Sequence, residues 1–196
     1  MDRLRVGFIG RSSTWSTLKQ LVFPEHVLLR YVSDESECRG LNLVLTEKYM
    51  ADLVHCPGVY VIDDVSIDGL IEAVVRGLKL SDLNIGIDIG NSRCGITILI
   101  DNTPIIHTTL GLTRAVRLLR RLSGYLRINL MVGTSPGISE LVRDFLDLLS
   151  GTDIRISMVD EELSNNRKRM LGSKYPYLTT DELDSLTHAY TGLSRF

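Results

Sequence analysis

The chain has little of what would bind nucleic acid by charge alone or cross a membrane. Its 22 Lys and Arg residues are balanced by 24 Asp and Glu residues, a net charge of −2, which excludes wholesale electrostatic capture of nucleic acid. Its apolar runs are too short, or too interrupted by charge, to span a bilayer. The first 15 residues have neither a long apolar region nor a small-residue cleavage site, so we expect no signal peptide.

Cysteine is scarce and scattered. The three cysteines, Cys38, Cys56 and Cys94, are odd in number and lack the spacing of metal ligands. We therefore expect reduced, half-buried thiols in a cytoplasmic protein.

The chain has enough apolar side chains to form a hydrophobic core, because 44% of its 196 residues are hydrophobic. We predict two α/β domains, residues 1–81 and 82–196. In residues 1–81 strands alternate with helices, a pattern that favours a small, mainly parallel sheet. The turn after the first strand lacks the glycine-rich phosphate-binding motifs, so we interpret it as a capped helix start. Three roles stay open for this domain: binding substrate, binding a partner, or forming a homodimer.

The second part begins with three strands joined by connections of hairpin length, which predicts an antiparallel meander. The predicted order is βββαβαβα around a mixed sheet, with a long polar stretch over residues 161–179. The predicted strands are 84–90, 94–100, 104–109, 128–132 and 154–159, and the helices are 112–124, 138–149 and a final one over 179–193.

One carboxylate stands in the middle of an apolar strand. In the stretch "IGIDIGNSRCGITILI", alternation places Ile85, Ile87 and Ile89 on one face of the strand and Asp88 on the other. Burial of a charge costs several kcal/mol or more unless a partner compensates it. Asp88 therefore requires a partner, either a cation or the backbone N–H groups of the turn.

Four motifs follow one another in the second part: "GIDIGNSRCGITI", "MVGTSPG", "MVDEELSNN" and "DELDSLTHAY". In this order they resemble the RuvC-type and YqgF-type Holliday-junction resolvases, which have an RNase H-like fold. The resemblance covers about residues 84–194. It implies a metal-dependent nuclease that hydrolyses phosphodiester bonds in structured, branched nucleic acid.

The resemblance also implies a site. Asp88, Glu161 and Asp184 would hold Mg²⁺ or Mn²⁺, Asp181 would be an auxiliary catalytic carboxylate, and a water activated by the metal would be the nucleophile. His188 lies one turn beyond Asp184 on the same helical face. It is a proton carrier, a group that supports a metal ligand, or an ordinary surface histidine.

The chain departs from the family pattern at two places, which keeps alternatives open. RuvC would place a glutamate where this chain has Val132 and Gly133, and the family arginine after D-E is here Glu162, for which we expect a solvated acidic turn. The first alternative is a catalytically degenerate module that binds nucleic acid or protein. An actin-like nucleotide-binding protein is a weaker alternative, because the first 80 residues lack a matching hairpin.

Basic residues cluster in two segments of the second part. We predict that they contact the phosphates of structured DNA or RNA, since cations beside aromatic rings suit backbone contact and base stacking. The alternatives are that the first segment is a solvated loop and that the helical arginines lie on the solvent-exposed face of their helix. The residues are Arg167, Lys168, Arg169, Lys174, Arg114, Arg117 and Arg121.

Overall fold

A computed structural model describes residues 3–134, 139–160 and 165–194. The chain forms two compact units, an N-terminal unit (Met1–Leu80) and a C-terminal unit (Ser81–Phe196). Both are α/β: one holds a parallel sheet and the other a mixed sheet. Among the described residues no helix has the length and apolar character needed to cross a bilayer.

The N-terminal unit is built on a four-stranded parallel sheet with the order β2-β1-β3-β4. The parallel pairing follows from its connections, because parallel neighbours need a crossover rather than a hairpin. Its elements are β1 (Leu4–Ile9), α1 (Ser12–Leu18), β2 (Val27–Tyr31), a 3-10 turn (Glu35–Cys38), β3 (Leu43–Glu47), a second 3-10 turn (Lys48–Leu53), β4 (Val59–Ile62) and α2 (Ile67–Gly77).

Two of the cysteines are paired, so the expectation of reduced thiols is wrong for them. Cys38, in the first 3-10 turn, and Cys56 form a disulfide with a Cα–Cα separation of 5.6 Å. The two lie 18 residues apart in the chain, a spacing that carries no pairing signal. Packing brings them together, because Cys38 is buried in a small apolar cluster against which Cys56 packs. Cys94 is a free thiol, as expected, but it is fully buried rather than half-buried.

The C-terminal unit is built on a five-stranded sheet with the order β7-β6-β5-β8-β9. The first three strands form the predicted antiparallel meander, while β5–β8 and β8–β9 are parallel. The strand that carries Asp88 is therefore central. The elements are β5 (Asp82–Ile89), β6 (Arg93–Ile100), β7 (Thr103–Gly111), α3 (Leu112–Ser123), β8 (Arg127–Thr134), α4 (Ser139–Leu148), β9 (Ile154–Asp160), α5 (Asn165–Lys174) and α6 (Thr180–Leu193).

The polar stretch before the last helix contains an element that the sequence did not predict. Residues Asn165–Lys174 form helix α5, although the segment has no apolar periodicity and Met170 is largely exposed. Helix α5 packs against α6, and Arg167 donates a hydrogen bond to the carbonyl oxygen of Tyr190 there. Contacts of charged side chains with α6 thus take the place of an apolar stripe.

The two faces of the central strand have different coverings. Ile85, Ile87 and Ile89 are buried on one face, as alternation predicted. Helix α3, with α4 against it, supplies apolar side chains to this side of the sheet. The other face, which carries Asp88, lies against α6.

Candidate functional site

Helix α6 lies unusually close to the sheet because three strand residues under it are glycines. A Cβ atom at Gly86 would lie 2.0 Å from the carbonyl oxygen of Ser185, and one at Gly95 would lie 2.0 Å from that of Asp181. A Cβ atom at Gly133 would lie 2.1 Å from Nε2 of His188. Glycines in β5, β6 and β8 therefore admit the helix backbone and the His188 ring.

The first turn of α6 is fixed by a capping box. The hydroxyl of Thr179 accepts a hydrogen bond from the N–H of Glu182 at 3.4 Å, and the Glu182 carboxylate accepts one from the N–H of Thr179 at 2.9 Å. Two orphan backbone donors are thereby satisfied. This holds Asp181, in the same turn, over Gly95 of β6, which is the cross-strand partner of Asp88.

A buried polar cluster ties the middle of α6 to the meander. Oγ1 of Thr97 lies 2.8 Å from Oγ of Ser185 and 2.9 Å from Nδ1 of His107. All three side chains are buried, where the low local dielectric makes these hydrogen bonds stronger than they would be in water. The cluster sets the position of α6 along the sheet, and with it the positions of the acidic residues on the helix.

Asp88 faces an imidazole. Its Oδ1 lies 3.7 Å from Nε2 of His188, and the two side chains are 19% and 2% exposed. Neither ring nitrogen of His188 has a hydrogen-bond partner within the described part of the chain. Buried polar atoms without a partner are uncommon and call for an explanation, such as a bound ion or a catalytic role.

Asp184 lies one helical turn before His188, and Nζ of Lys168 on α5 lies 2.5 Å from its Oδ1. Burial raises the pKa of Asp184, and the Lys168 ammonium partly opposes this by lowering it. The negative charge of Asp88 also raises the pKa of Asp184. The two carboxylates are therefore near enough to repel each other.

Asp181 belongs to the same neighbourhood. Burial raises the pKa of the Cys94 thiol to about 12, and the charges of Asp88 and then Asp181 add to this effect. The structure thus brings Asp88, Asp181, Asp184 and His188 to one face of the sheet. Glu161 and Glu162 lie outside the described residues, so the metal-ligand role of Glu161 stays a prediction.

The predicted phosphate-binding cations divide into three groups. Arg167 and Lys168 are engaged with α6, whereas Arg169 and Lys174 are exposed on α5. The α3 arginines form the third group and lie on the helix that covers the isoleucine face, away from Asp88. In that group Arg114 and Arg117 are exposed and Arg121 is half-buried.

Sequence reasoning missed two contacts that shape the site, namely His188 over Gly133 and Lys168 on Asp184. A signal for the first was present, because glycine inside a strand often marks the close approach of another chain segment. Within residues 3–134, 139–160 and 165–194, no group of three or more His, Cys, Asp and Glu side chains has an arrangement that could hold a metal.

Comparisons with known proteins add little. No protein-family model matches the chain, and no curated protein matches it. A solved structure of T. thermophilus RuvC in complex with a Holliday junction substrate is similar, with a TM-score of 0.38 and 14% sequence identity. The match covers 56% of this chain and 90% of that one. So low a TM-score assigns neither a fold nor a function to this chain.

Proposed function

We propose that the C-terminal unit is an RNase H-like domain of the RuvC/YqgF type that hydrolyses phosphodiester bonds in structured nucleic acid with a divalent cation. The observation that supports this most is the position of Asp88, on the central strand, 3.7 Å from His188 of α6, the helix that also carries Asp184 one turn earlier. Two carboxylates that repel each other in a partly buried site are stabilised by a bound cation.

The donor atoms near Asp88 are of the kinds that such a cation binds. Asp88 and Asp184 offer carboxylate oxygens, the donors that Mg²⁺ and Mn²⁺ prefer, and His188 adds a buried imidazole without a hydrogen-bond partner among the described residues. Asp88 and Asp184 would hold the ion, with Glu161 as a further predicted ligand and Asp181 beside them. A bound cation would polarise the phosphoryl oxygen and lower the pKa of water.

The chain's own residues prepare this site. Asp88 is held rigidly because its strand is hydrogen-bonded on both sides. Lys168 lowers the pKa of Asp184 against the effect of burial, which favours the ionised form that a cation requires. Helix α6 covers the sheet and excludes water from His188.

Structured DNA or RNA is the partner we propose, with Arg169 and Lys174 as the phosphate contacts on α5. Both are exposed and lie on the helix that also carries Lys168. Each phosphate contact contributes roughly one unit to the log–log slope of affinity against salt.

The compartment we propose is the cytoplasm, although disulfides such as Cys38–Cys56 persist chiefly in oxidising compartments.

A second candidate is the non-catalytic module that binds nucleic acid or protein. Two observations favour it: the Lys168 ammonium already compensates Asp184, and Val132 and Gly133 stand where RuvC would have a glutamate. The ring of His188 fills the space that a side chain at position 133 would need. In such a module the carboxylates would only be structural.

Cleavage of a panel of branched and single-stranded DNAs and RNAs, with Mg²⁺ or Mn²⁺, separates the two candidates. For a nuclease, Asp88→Asn should lower cleavage by on the order of 10³-fold, because metal-based charge stabilisation is worth several kcal/mol. Asp153→Asn is the matched control, since Asp153 is an exposed carboxylate of the same unit. Its activity should equal that of the wild type.

The melting temperature with and without Mg²⁺ gives an independent readout, because a ligand that binds the folded state stabilises it. The wild type should gain stability from Mg²⁺ and the Asp88→Asn variant should not. A wild type that neither cleaves any substrate nor responds to Mg²⁺ or Mn²⁺ would establish the non-catalytic module instead.

A further inference from the structure

His188 is the most strongly constrained polar side chain of the site. Its side chain is 2% exposed, and its ring lies where a Cβ atom at position 133 would be. Neither of its nitrogens has a hydrogen-bond partner in the described ranges. An imidazole placed so tightly, with both nitrogens unsatisfied, is costly unless a ligand completes it.

The distance between the His188 ring and Asp88 indicates where that ligand would lie. Nε2 of His188 faces Oδ1 of Asp88 at 3.7 Å, which is longer than an N–H···O hydrogen bond of about 2.7–3.2 Å. Imidazole nitrogens and carboxylate oxygens each bind a metal such as zinc at about 2.0–2.2 Å. Two such atoms on one ion stand somewhat more than 3 Å apart, close to the observed spacing.

We propose that His188 binds the cation directly through Nε2, together with Asp88, and that this nitrogen makes the site prefer divalent transition metals to Mg²⁺. The inference rests on the proposed function, since it concerns the same site. Mg²⁺ takes oxygen ligands, whereas imidazole suits transition metals, whose affinities rise from Mn²⁺ through Co²⁺ and Ni²⁺. His188 is thus the residue that determines metal specificity.

Position 133 supports this assignment. The close contact between Gly133 and the His188 ring leaves no room for a side chain there, so the ring is held beside Asp88 with little freedom to move. The nitrogen of His188 occupies that space instead. A nitrogen donor held in this way favours transition metals over Mg²⁺.

Calorimetric titration of the full chain, free of any affinity tag, with Co²⁺ and with Mg²⁺ tests the proposal. The wild type should bind Co²⁺ more tightly than Mg²⁺. His188→Asn should weaken Co²⁺ binding by at least about tenfold, a loss seen even for outer partners of metal ligands, and should leave Mg²⁺ binding nearly unchanged. The visible absorption of bound Co²⁺ should also change, because a nitrogen ligand is lost.

Two further variants serve as controls: one displaces the His188 ring without removing it, and the other removes a histidine outside the site. Gly133→Ala keeps the imidazole but displaces it, so Co²⁺ binding should weaken as it does in His188→Asn. His55→Asn, which removes an exposed histidine of the N-terminal unit, should change nothing. If the two site variants bind Co²⁺ as tightly as the wild type, or lose Co²⁺ and Mg²⁺ equally, the proposal is wrong.

Asp88→Asn distinguishes this failure from failure of the proposed function. If Asp88→Asn abolishes metal binding while His188→Asn does not affect Co²⁺ binding, the site holds a cation without His188, and only the specificity proposal falls. If the wild type binds neither metal, both proposals fall together.

Discussion

Each unit of the protein places a carboxylate on a strand inside its sheet, and the two carboxylates have different surroundings. Glu47, at the end of β3, is 6% exposed and accepts hydrogen bonds from the N–H of Arg11 at 2.6 Å and the hydroxyl of Thr14 at 3.1 Å. Asp88, on β5, is 19% exposed and faces an imidazole beyond hydrogen-bonding distance. The first carboxylate is satisfied by hydrogen bonds within the fold, whereas the second is not hydrogen-bonded to the imidazole that it faces.

Glycine residues permit different close contacts in the two units. A Cβ atom at Gly10 would lie 2.5 Å from Oε2 of Glu47, so glycine there lets the carboxylate reach the start of α1. We interpreted that turn as a capped helix start. Helix α1 has no side-chain cap from its own N-cap residue, Arg11, and Glu47 binds there from β3 instead. In the C-terminal unit, glycines admit a helix that carries further carboxylates. Glu47 is thus a structural carboxylate, whereas Asp88 is the carboxylate for which we propose a bound cation.

The largest effect on stability is expected from a side chain at Gly86, because it would displace α6 from the sheet. Gly86→Ala would place a Cβ atom against backbone, and overpacking against atoms that cannot yield should destabilise the C-terminal unit by about 3 kcal/mol. Gly111→Ala is the control, because its nearest contact would be an ordinary 3.9 Å. Denaturant unfolding of both variants measures the difference, and equal stability would show that α6 does not need close contact.

Removal of the Cys38–Cys56 disulfide tests whether the N-terminal unit depends on closure of its own loop. The disulfide closes a loop of 18 residues, for which the expected stabilisation is about 2–3 kcal/mol. The Cys38→Ser/Cys56→Ser variant should lose this amount in the N-terminal unit alone. Hydrogen exchange resolved by residue is the measurement, with amides of β5 and β8 as the internal control. A loss of protection shared by both units would contradict the assignment.

Neutralising each carboxylate compares the two surroundings directly. Glu47→Gln should cost about 2 kcal/mol, because hydrogen bonds to a charged group are worth about 1.5–3 kcal/mol. Without metal, Asp88→Asn should cost nothing or stabilise, since it relieves repulsion with Asp184. Denaturant unfolding in the presence of a chelator measures both variants. A large loss for Asp88→Asn would make Asp88 a structural residue like Glu47.

The smallest expected effect concerns the protonation of Asp184. Because burial raises its pKa, the ionised form is disfavoured in the folded state, and stability is lost as pH rises through the folded pKa. The stability of Asp184→Asn relative to the wild type should therefore increase from below to above about pH 3.9, the ordinary aspartate pKa. Lys168→Met should raise the pKa of Asp184 further, as NMR titration would show. A pKa that falls in Lys168→Met would contradict the contact.

Much of the fold could be predicted because its signals are local. Alternation along residues 84–109 and connections of hairpin length determined the three-stranded meander. The same alternation put Asp88 on the face opposite the isoleucines. Helix α5 could not be predicted in this way, because it has no apolar periodicity and is held by contacts of Arg167 and Lys168 with α6.

The order of the elements other than α5, and the face of its strand on which Asp88 lies, follow from the sequence. Only the tertiary structure decided that Cys38 pairs with Cys56, that His188 lies over Gly133 and that Lys168 compensates Asp184. The physical reason is the separation of the interacting residues along the chain. Strand and helix patterns arise from neighbours in the chain, whereas these contacts join distant segments whose spacing depends on how closely a helix packs on a sheet.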